Sequence, residues 1–324
     1  RQFNASVHEV FATTPTALRH RRGPAAGSRE LSLRLPYRQP MDTRQTLDFL
    51  GRRAIPGVEA YDGERYQRSL ALPFGAGVVT LRPATSHVRC ELRLDDLRDL
   101  QAAVQRARRL LDLDADPVGV DAHLGAEVAL APMVKKLPGL RVPGSVNGPE
   151  LAVRAVLGQQ VSLAGARTLA SRLVARYGRR LPAPAGEVTH AFPSADALAG
   201  ADPATFGLPA ARGRALHHLA EALASGRVEL HPGADRAATS VGLSRLPGIG
   251  PWTAGYVAMR ALGDPDVFLA SDLGARRGAA ALGLPDAPRA LADAARAWSP
   301  WRSYAALLLW SAPAPGTPDP RRRS

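Results

Sequence analysis

The sequence predicts an α+β protein: an N-terminal antiparallel-sheet α+β domain followed by an all-α domain that runs almost to the C-terminus. Three observations carry this expectation. Between about Leu31 and Val104 apolar residues recur with period two, in RYQRSLAL, GVVTLRPA and SHVRCELRL, each bounded by Gly, Pro or Ser. From about Pro117 onward the period lengthens to that of an amphipathic helix, in ELAVRAVLGQQ, LAGARTLASRLVARYG, PAARGRALHHLAEALASG, PWTAGYVAMRALG and SPWRSYAALLLW. Short loops bearing Pro or Gly join those later segments, so helix follows helix.

In chain order, RQFNASVHEVFATTPTALRHRRG at 1–23 reads as helix, turn and short helix, with Phe3, Val7, Val10 and Phe11 at helical spacing. It is too short to bury those residues alone, and it resembles the closing segment of an AraC-family helix-turn-helix domain. The first residue is Arg, which reads as the start of a fragment. GPAAGS at 23–28 has linker composition, and the linker is placed at 24–36. The sheet domain is assigned to 37–115. In it TRQTLDFLGRRA forms a helix before the strands, and LDDLRDLQAAVQRARRLLDL forms one after them, acidic at its start and basic at its end. The helical domain takes 116–311. APAPGTPDPRRRS at 312–324 reads as a disordered tail.

Composition narrows the function classes. The chain has 324 residues, 45% of them hydrophobic, enough for a sizeable buried core. No apolar run is long enough to span a bilayer and no signal-peptide layout opens the chain, so a cytoplasmic location is expected. A single cysteine, Cys90, excludes an intrachain disulfide framework, a four-cysteine zinc site and a cysteine-held iron–sulfur cluster. The formal net charge is +13. Residues 1–35 hold six Arg against two Glu and residues 312–324 three Arg against one Asp, which leaves +7 in the body. That excess suits a polyanion partner. The histidines form no H-E-x-x-H, and no Walker loop is present.

The most informative stretch is LPGIG at 246–250, followed at once by PWTAGYVAMRAL. Two glycines around one apolar residue tolerate positive φ and leave no side chain between the turn and an approaching ligand. Pro251 suits a first helical position. The amides of Gly248, Ile249 and Gly250, with the helix N-terminus behind them, form an anion cradle for a phosphate. TSVGLSRL supplies the preceding helix of a hairpin, and backbone carbonyls of Ser244, Leu246 and Ile249 are candidate ligands for a monovalent cation. Downstream, the apolar VFLA leads to Ser271-Asp272 at another helix start, where Asp272 would also serve as an N-cap.

Hairpin, helix, apolar run and single Asp resemble the helix-hairpin-helix DNA glycosylases. VNGPELAVRAVLGQQVSLAGARTLASRLVARYG, the LPGIG–SD stretch and WSPWRSYAALLLW are similar to the DNA-3-methyladenine glycosylase II, or AlkA-type, family. The resemblance covers about nine-tenths of the chain, including the sheet domain. With the N-terminal segment it resembles a truncated Ada–AlkA fusion of the bacterial adaptive response, with Ada-type domains once upstream.

What the resemblance implies is specific. The substrate is an alkylated purine in double-stranded DNA, of the 3-methyladenine or 7-methylguanine type, extruded from the duplex before its N-glycosidic bond is hydrolysed. Asp272 is the catalytic carboxylate, stabilising oxocarbenium charge and positioning water. Trp252 and Tyr256, four apart on one helix face, and Trp310 form the aromatic base pocket. LGQQVS places Gln160 where a leucine wedge is usual in the family, with two alternatives open: Gln159 inserts instead, or neither glutamine does. Phe49 and Arg53 border the pocket more loosely. The lysine expected after the hairpin in strand-cutting relatives is here Trp252, and the chain's only lysines are Lys135 and Lys136. A monofunctional enzyme follows. No cofactor is required, a structural Na⁺ or K⁺ is a candidate at the hairpin, and a nucleoid-associated monomer is expected. Two alternatives stay open: a non-catalytic DNA-binding regulator, and a glycosylase for deaminated or oxidised bases.

Overall fold

The computed structural model describes residues 29–313. The helix-turn-helix-like segment at 1–23 and most of the C-terminal tail lie outside the described residues.

Five strands form one antiparallel sheet, β1 (Arg29–Pro36), β2 (Glu59–Tyr61), β3 (Tyr66–Ala71), β4 (Ala76–Pro83) and β5 (His87–Leu94), in the order β1-β5-β4-β3-β2. The linker assignment at 24–36 therefore needs correction. Residues 29–36 pair with β5 along their whole length, Leu33 opposite Cys90 and Leu35 opposite Val88. RELSLRLP alternates as an edge strand should, and its three leucines are buried. In β5 the same alternation turns Val88, Cys90, Leu92 and Leu94 inward, against α1 (Thr43–Gly51) and α2 (Leu100–Leu110).

Strand β4 departs from alternation because it is covered on both faces. Val79 and Leu81 join the sheet–helix core, while Ala76 and Val78 meet a hairpin from the helical domain, β6 (Arg179–Ala185) and β7 (Val188–Ala191). That hairpin corrects the all-helical reading of the second domain.

The helices of the second half are α3 (Pro117–Gly125), α4 (Ala131–Lys136), α5 (Gly148–Leu157), α6 (Leu163–Tyr177), α7 (Ala195–Ala199), α8 (Ala210–Ala224), α9 (Arg236–Ser244), α10 (Pro251–Ala261), α11 (Leu273–Ala281), α12 (Pro288–Ala294) and α13 (Arg302–Ser311). They share two cores. One joins α5, α6, α8 and α10 through Val156, Leu173, Leu216 and Val257. The other joins α3 and α4 to α11–α13 through Leu124, Met133, Ala279, Leu291 and Leu308. Trp252 and Tyr256 pack at the edge of the second core, so α10 is the element common to both. No described helix is long and apolar enough to cross a membrane.

A buried ion cluster fastens the sheet to the helices. Arg68 on β3 pairs with Glu59 on β2 (3.1 Å) and Glu150 on α5 (2.7 Å), and Arg154 on α5 pairs with the same two carboxylates (2.9 and 3.0 Å). Tyr66 and the Ile55 amide donate to Glu59 as well. Burial alone would push the Glu59 carboxyl up, but Arg154 and Arg68 outweigh it and hold the group below its ordinary value.

Asp112 is a second interdomain clamp, and its environment acts the other way. Its Oδ2 accepts from the Tyr304 hydroxyl of α13 (2.8 Å) and the Val142 amide (3.1 Å). Burial raises this carboxyl to about 6. A folded value above the unfolded one means that Asp112 favours folding at low pH and loses that contribution as pH rises through about 6. Asp112→Asn keeps an acceptor for both donors, and Asn tolerates the positive φ of 53° found here. The variant should gain about 2–3 kcal/mol relative to the parent between pH 4 and pH 7, read from denaturant midpoints at both pH values.

Candidate active site

Three chain segments that are far apart in sequence converge on Asp272. The residue caps α11, Oδ1 accepting from the Ala275 amide at 2.8 Å. The same oxygen accepts from the Trp310 indole N–H at 2.7 Å, and Oδ2 accepts from the Trp252 indole N–H at 2.9 Å. A carboxylate with three N–H donors is held in one orientation at the wall of the cavity it lines. Gly274 makes this possible, since a Cβ there would lie 3.1 Å from both Asp272 Oδ1 and the Trp310 ring. The N-cap and the site carboxylate are one group.

The aromatic residues are brought together, with a division of labour that spacing does not reveal. Trp252 and Tyr256 stack on each other, centroids 5.2 Å apart and planes within 8°. Tyr256 and Trp310 stand 6.4 Å apart at 43°, an open angle. The Tyr256–Trp310 angle thus leaves an open space that the Trp252–Tyr256 stack does not. These rings, Asp272 and the ends of α5 and α6 line one cavity of about 590 Å³.

Its remaining wall is strongly cationic. Arg53, Arg154, Arg167, Arg260 and Arg277 line the cavity, against Asp272 as the one carboxylate among its lining residues. Arg154 is neutralised by Glu59 and Glu150. Arg260 instead donates to the carbonyls of Pro143 (2.6 Å) and Gly144 (3.1 Å) and to the Tyr256 hydroxyl (2.6 Å). Arg53 donates to the Phe49 carbonyl at 3.1 Å, and its guanidinium lies 3.6 Å above the Phe49 ring, with Arg260 at 5.0 Å from that ring. Burial lowers Arg53 to about 10, Tyr256 partly offsetting it. For Tyr256 burial acts upward, but Arg260 and Arg53 outweigh it and the phenol lies below its ordinary value. Phe49 thus supports the wall from behind while Arg53 lines it.

Arg260, Arg154 and Arg167 were not singled out by the sequence reading. The signal for Arg260 is its spacing: Trp252, Tyr256 and Arg260 succeed one another at four-residue intervals along α10.

The LPGIG turn joins α9 to α10 beside this cavity. Gly248 has φ +82°, and a Cβ there would lie 2.5 Å from that of Ala215. At Gly250 a Cβ would meet nothing within 4 Å, so its bareness serves space outside the molecule. The Ile249 side chain is buried in the helical core, and the exposed residues on either side of it are Gly248 and Gly250. The Leu246 carbonyl accepts from the Ile249 amide at 3.1 Å, and Ser244 closes α9. Gln159 and Gln160 follow α5, between Gly158 and Val161, which line the cavity. Gln159 is tied to the hairpin, donating to the Gly248 carbonyl and to Thr253 Oγ1, both at 3.0 Å. Gln160 is exposed with φ +55°. Lys135 and Lys136 lie on α4, and neither lines the cavity.

A family model described as the AlkA N-terminal domain matches residues 32–147, and one described as HhH-GPD superfamily base excision DNA repair protein matches residues 153–303. The chain is 48% identical over 316 residues to a Mycobacterium tuberculosis protein named "Probable bifunctional transcriptional activator/DNA repair enzyme AlkA", covering 96% of this chain and 64% of that one. It therefore spans just under two-thirds of the length of that relative. It is 36% identical over 281 residues to "DNA-3-methyladenine glycosylase 2" of Escherichia coli, covering 85% of this chain and 95% of that one. Among solved structures, a 3-methyladenine DNA-glycosylase from Archaeoglobus fulgidus superposes with a TM-score of 0.74 at 21% identity, over 86% of this chain and 96% of that one. At that identity the likeness is one of fold. With a matching sheet domain, a matching helix-hairpin-helix domain and near-complete coverage of the E. coli protein, the chain belongs to the DNA-3-methyladenine glycosylase 2 family of base excision repair proteins.

Proposed function

We propose that the protein is a monofunctional glycosylase that hydrolyses the N-glycosidic bond of alkylated purines flipped out of double-stranded DNA. The observation that carries this reading is Asp272, held by two indole N–H groups at the mouth of an aromatic cavity. A purine alkylated on a ring nitrogen is already cationic and leaves as a neutral base, so the site needs little acid catalysis. Asp272 stabilises the positive charge that develops on the sugar and directs water to it. Tyr256 and Trp310 offer electron-rich faces to the base.

The hairpin holds the DNA. The backbone of Gly248, Ile249 and Gly250 meets a phosphate, and the carbonyls of Ser244, Leu246 and Ile249 supply hard oxygen ligands for Na⁺ or K⁺ between turn and phosphate. The Leu246 carbonyl still has a lone pair for that role beside its bond to Ile249. Gln160 enters the gap left by the base. The two glycines separate structural from binding roles. Gly248→Ala should lower the thermal midpoint by about 4–8 °C through strain and contact with Ala215, whereas Gly250→Ala should leave it within about 2 °C and weaken duplex binding. Thermal melts and a gel-shift titration check both.

Lyase chemistry needs an amine at the sugar, and the hairpin position that would hold one carries Trp252. Methylated duplex should therefore show strand breaks only after alkali, and borohydride should trap no protein–DNA adduct. Breaks without alkali, with a trapped adduct, would refute monofunctional action. One observation favours a second reading. Arg53 and Arg260, with no carboxylate partner among the described residues, suit a neutral purine bearing an exocyclic oxygen better than a cation. Inosine-containing duplex in the same assay separates the two substrates.

A further inference from the structure

We infer that Gln159 is a positioning residue: its side-chain amide locks the loop at the cavity mouth to the DNA-gripping hairpin, so that grip and base opening act as one rigid unit. The inference rests on the function proposed above. Helix α5 ends at Leu157, and its C-cap Gly158 donates to the Arg154 carbonyl at 3.0 Å. Gln159 then reaches across 89 and 94 residues of sequence to Gly248 and Thr253. The Gly248 carbonyl only accepts, so the amide NH₂ must face it, and both of its hydrogens are engaged. One bond reaches the turn itself and the other the third residue of α10, so a single side chain spans the junction between turn and helix.

The next residue shows what the lock achieves. Gln160 and Asp112 are the only non-glycine residues with positive φ among the described residues. Such a conformation persists only where its surroundings over-determine it. Here Gln159 fixes one side and Ser162 the other, its Oγ capping α6 through the Gly165 amide at 3.1 Å. The segment between them presents an exposed Gln160 and an exposed Val161, the latter lining the cavity. An amide with both hydrogens engaged is not the inserting group. Gln159 acts through its neighbour, and the expectation that either glutamine enters the DNA narrows to Gln160.

Single-turnover base release from methylated duplex, affinity for undamaged duplex and thermal midpoint test this in Gln159→Leu, Thr253→Val, Gln160→Ala and the Gln159→Leu/Gln160→Ala pair. Gln159→Leu should slow release about tenfold, the loss expected of hydrogen bonds to neutral partners, with affinity for undamaged duplex within about twofold. Thr253→Val, which keeps the buried shape and removes one acceptor, should slow release in the same direction by less. The double variant should be no slower than Gln160→Ala alone, because removing the positioned side chain removes the benefit of positioning it. Multiplicative effects in the double variant, or unchanged release by Gln159→Leu from an active parent, would overturn the inference. If Gln159→Leu fails to fold, unchanged release by Thr253→Val overturns it. A parent that releases no base from any duplex overturns the proposed function, and this inference with it.

Discussion

Asp272→Asn is expected to lower single-turnover base release by about a thousandfold or more while leaving duplex affinity unchanged, the scale at which a preorganised charge acts on a transition state. The substitution isolates charge because Asn keeps much of the geometry. Its side-chain oxygen can still cap α11 through the Ala275 amide and accept from Trp310. The other position becomes an NH₂ facing the Trp252 indole N–H, donor against donor, where Oδ2 accepted at 2.9 Å. A modest stability loss of about 1 kcal/mol is therefore expected from that unsatisfied pair. Near-ultraviolet dichroism and thermal melting would show that the variant is folded before its rate is read.

Glu59→Ala is expected to have the largest effect on stability, about 3–5 kcal/mol, because it leaves two buried guanidiniums short of a carboxylate. Glu59 receives Arg68, Arg154, Tyr66 and the Ile55 amide, and its side chain is almost fully enclosed. Removing the exposed Arg65–Asp62 pair, 3.2 Å apart, should change the denaturant midpoint by less than about 1 kcal/mol and serves as the control. The sign of the pH dependence follows from the lowered carboxyl of Glu59. Its contribution is present above the unfolded value and is lost as pH falls through the folded one, so the parent should lose stability in acid faster than Glu59→Ala. Because Arg154 also lines the cavity, the same variant should disturb base release at neutral pH.

The two interdomain clamps thus respond to acid in opposite directions. Asp112 favours the protonated state and the Glu59 cluster the ionised one, and both tie the sheet domain to helices that build the cavity.

The parts of this molecule legible in its sequence are those set by local periodicity and turn chemistry. The alternation in β5, the helix stops at Gly and Pro, the LPGIG turn and the Ser-Asp cap before α11 are all short-range features. Strand β1 alternates just as well, yet the Pro/Gly-rich stretch before it drew the linker assignment too far into the chain. The β6–β7 hairpin was hidden because Pro182 and Pro184 demote RRLPAPA as a strand. They are tolerated because the hairpin has two strands and an irregular register between Arg180 and Ala185.

In the site, the i, i+4 spacing brought out Trp252 and Tyr256, and no spacing could show that Trp310 donates to a carboxylate 38 residues away. The arginine wall was illegible for a physical reason. Apart from Arg53, which the resemblance set at the pocket's border, an arginine is read as a solvated charge until tertiary structure shows that Arg260 faces a cavity and leans on Phe49. Gln159 is a similar case: only the fold distinguishes a tether from an inserting residue.

The most direct test of the central claim counts free purine base against abasic sites when the protein acts on methylated duplex DNA. Equal amounts of the two are expected, with free 3-methyladenine or 7-methylguanine as the base, strand breaks only after alkali, and loss of both products in Asp272→Asn. Undiminished base release by Asp272→Asn, or tight duplex binding by the parent with no free base from any lesion, would contradict it.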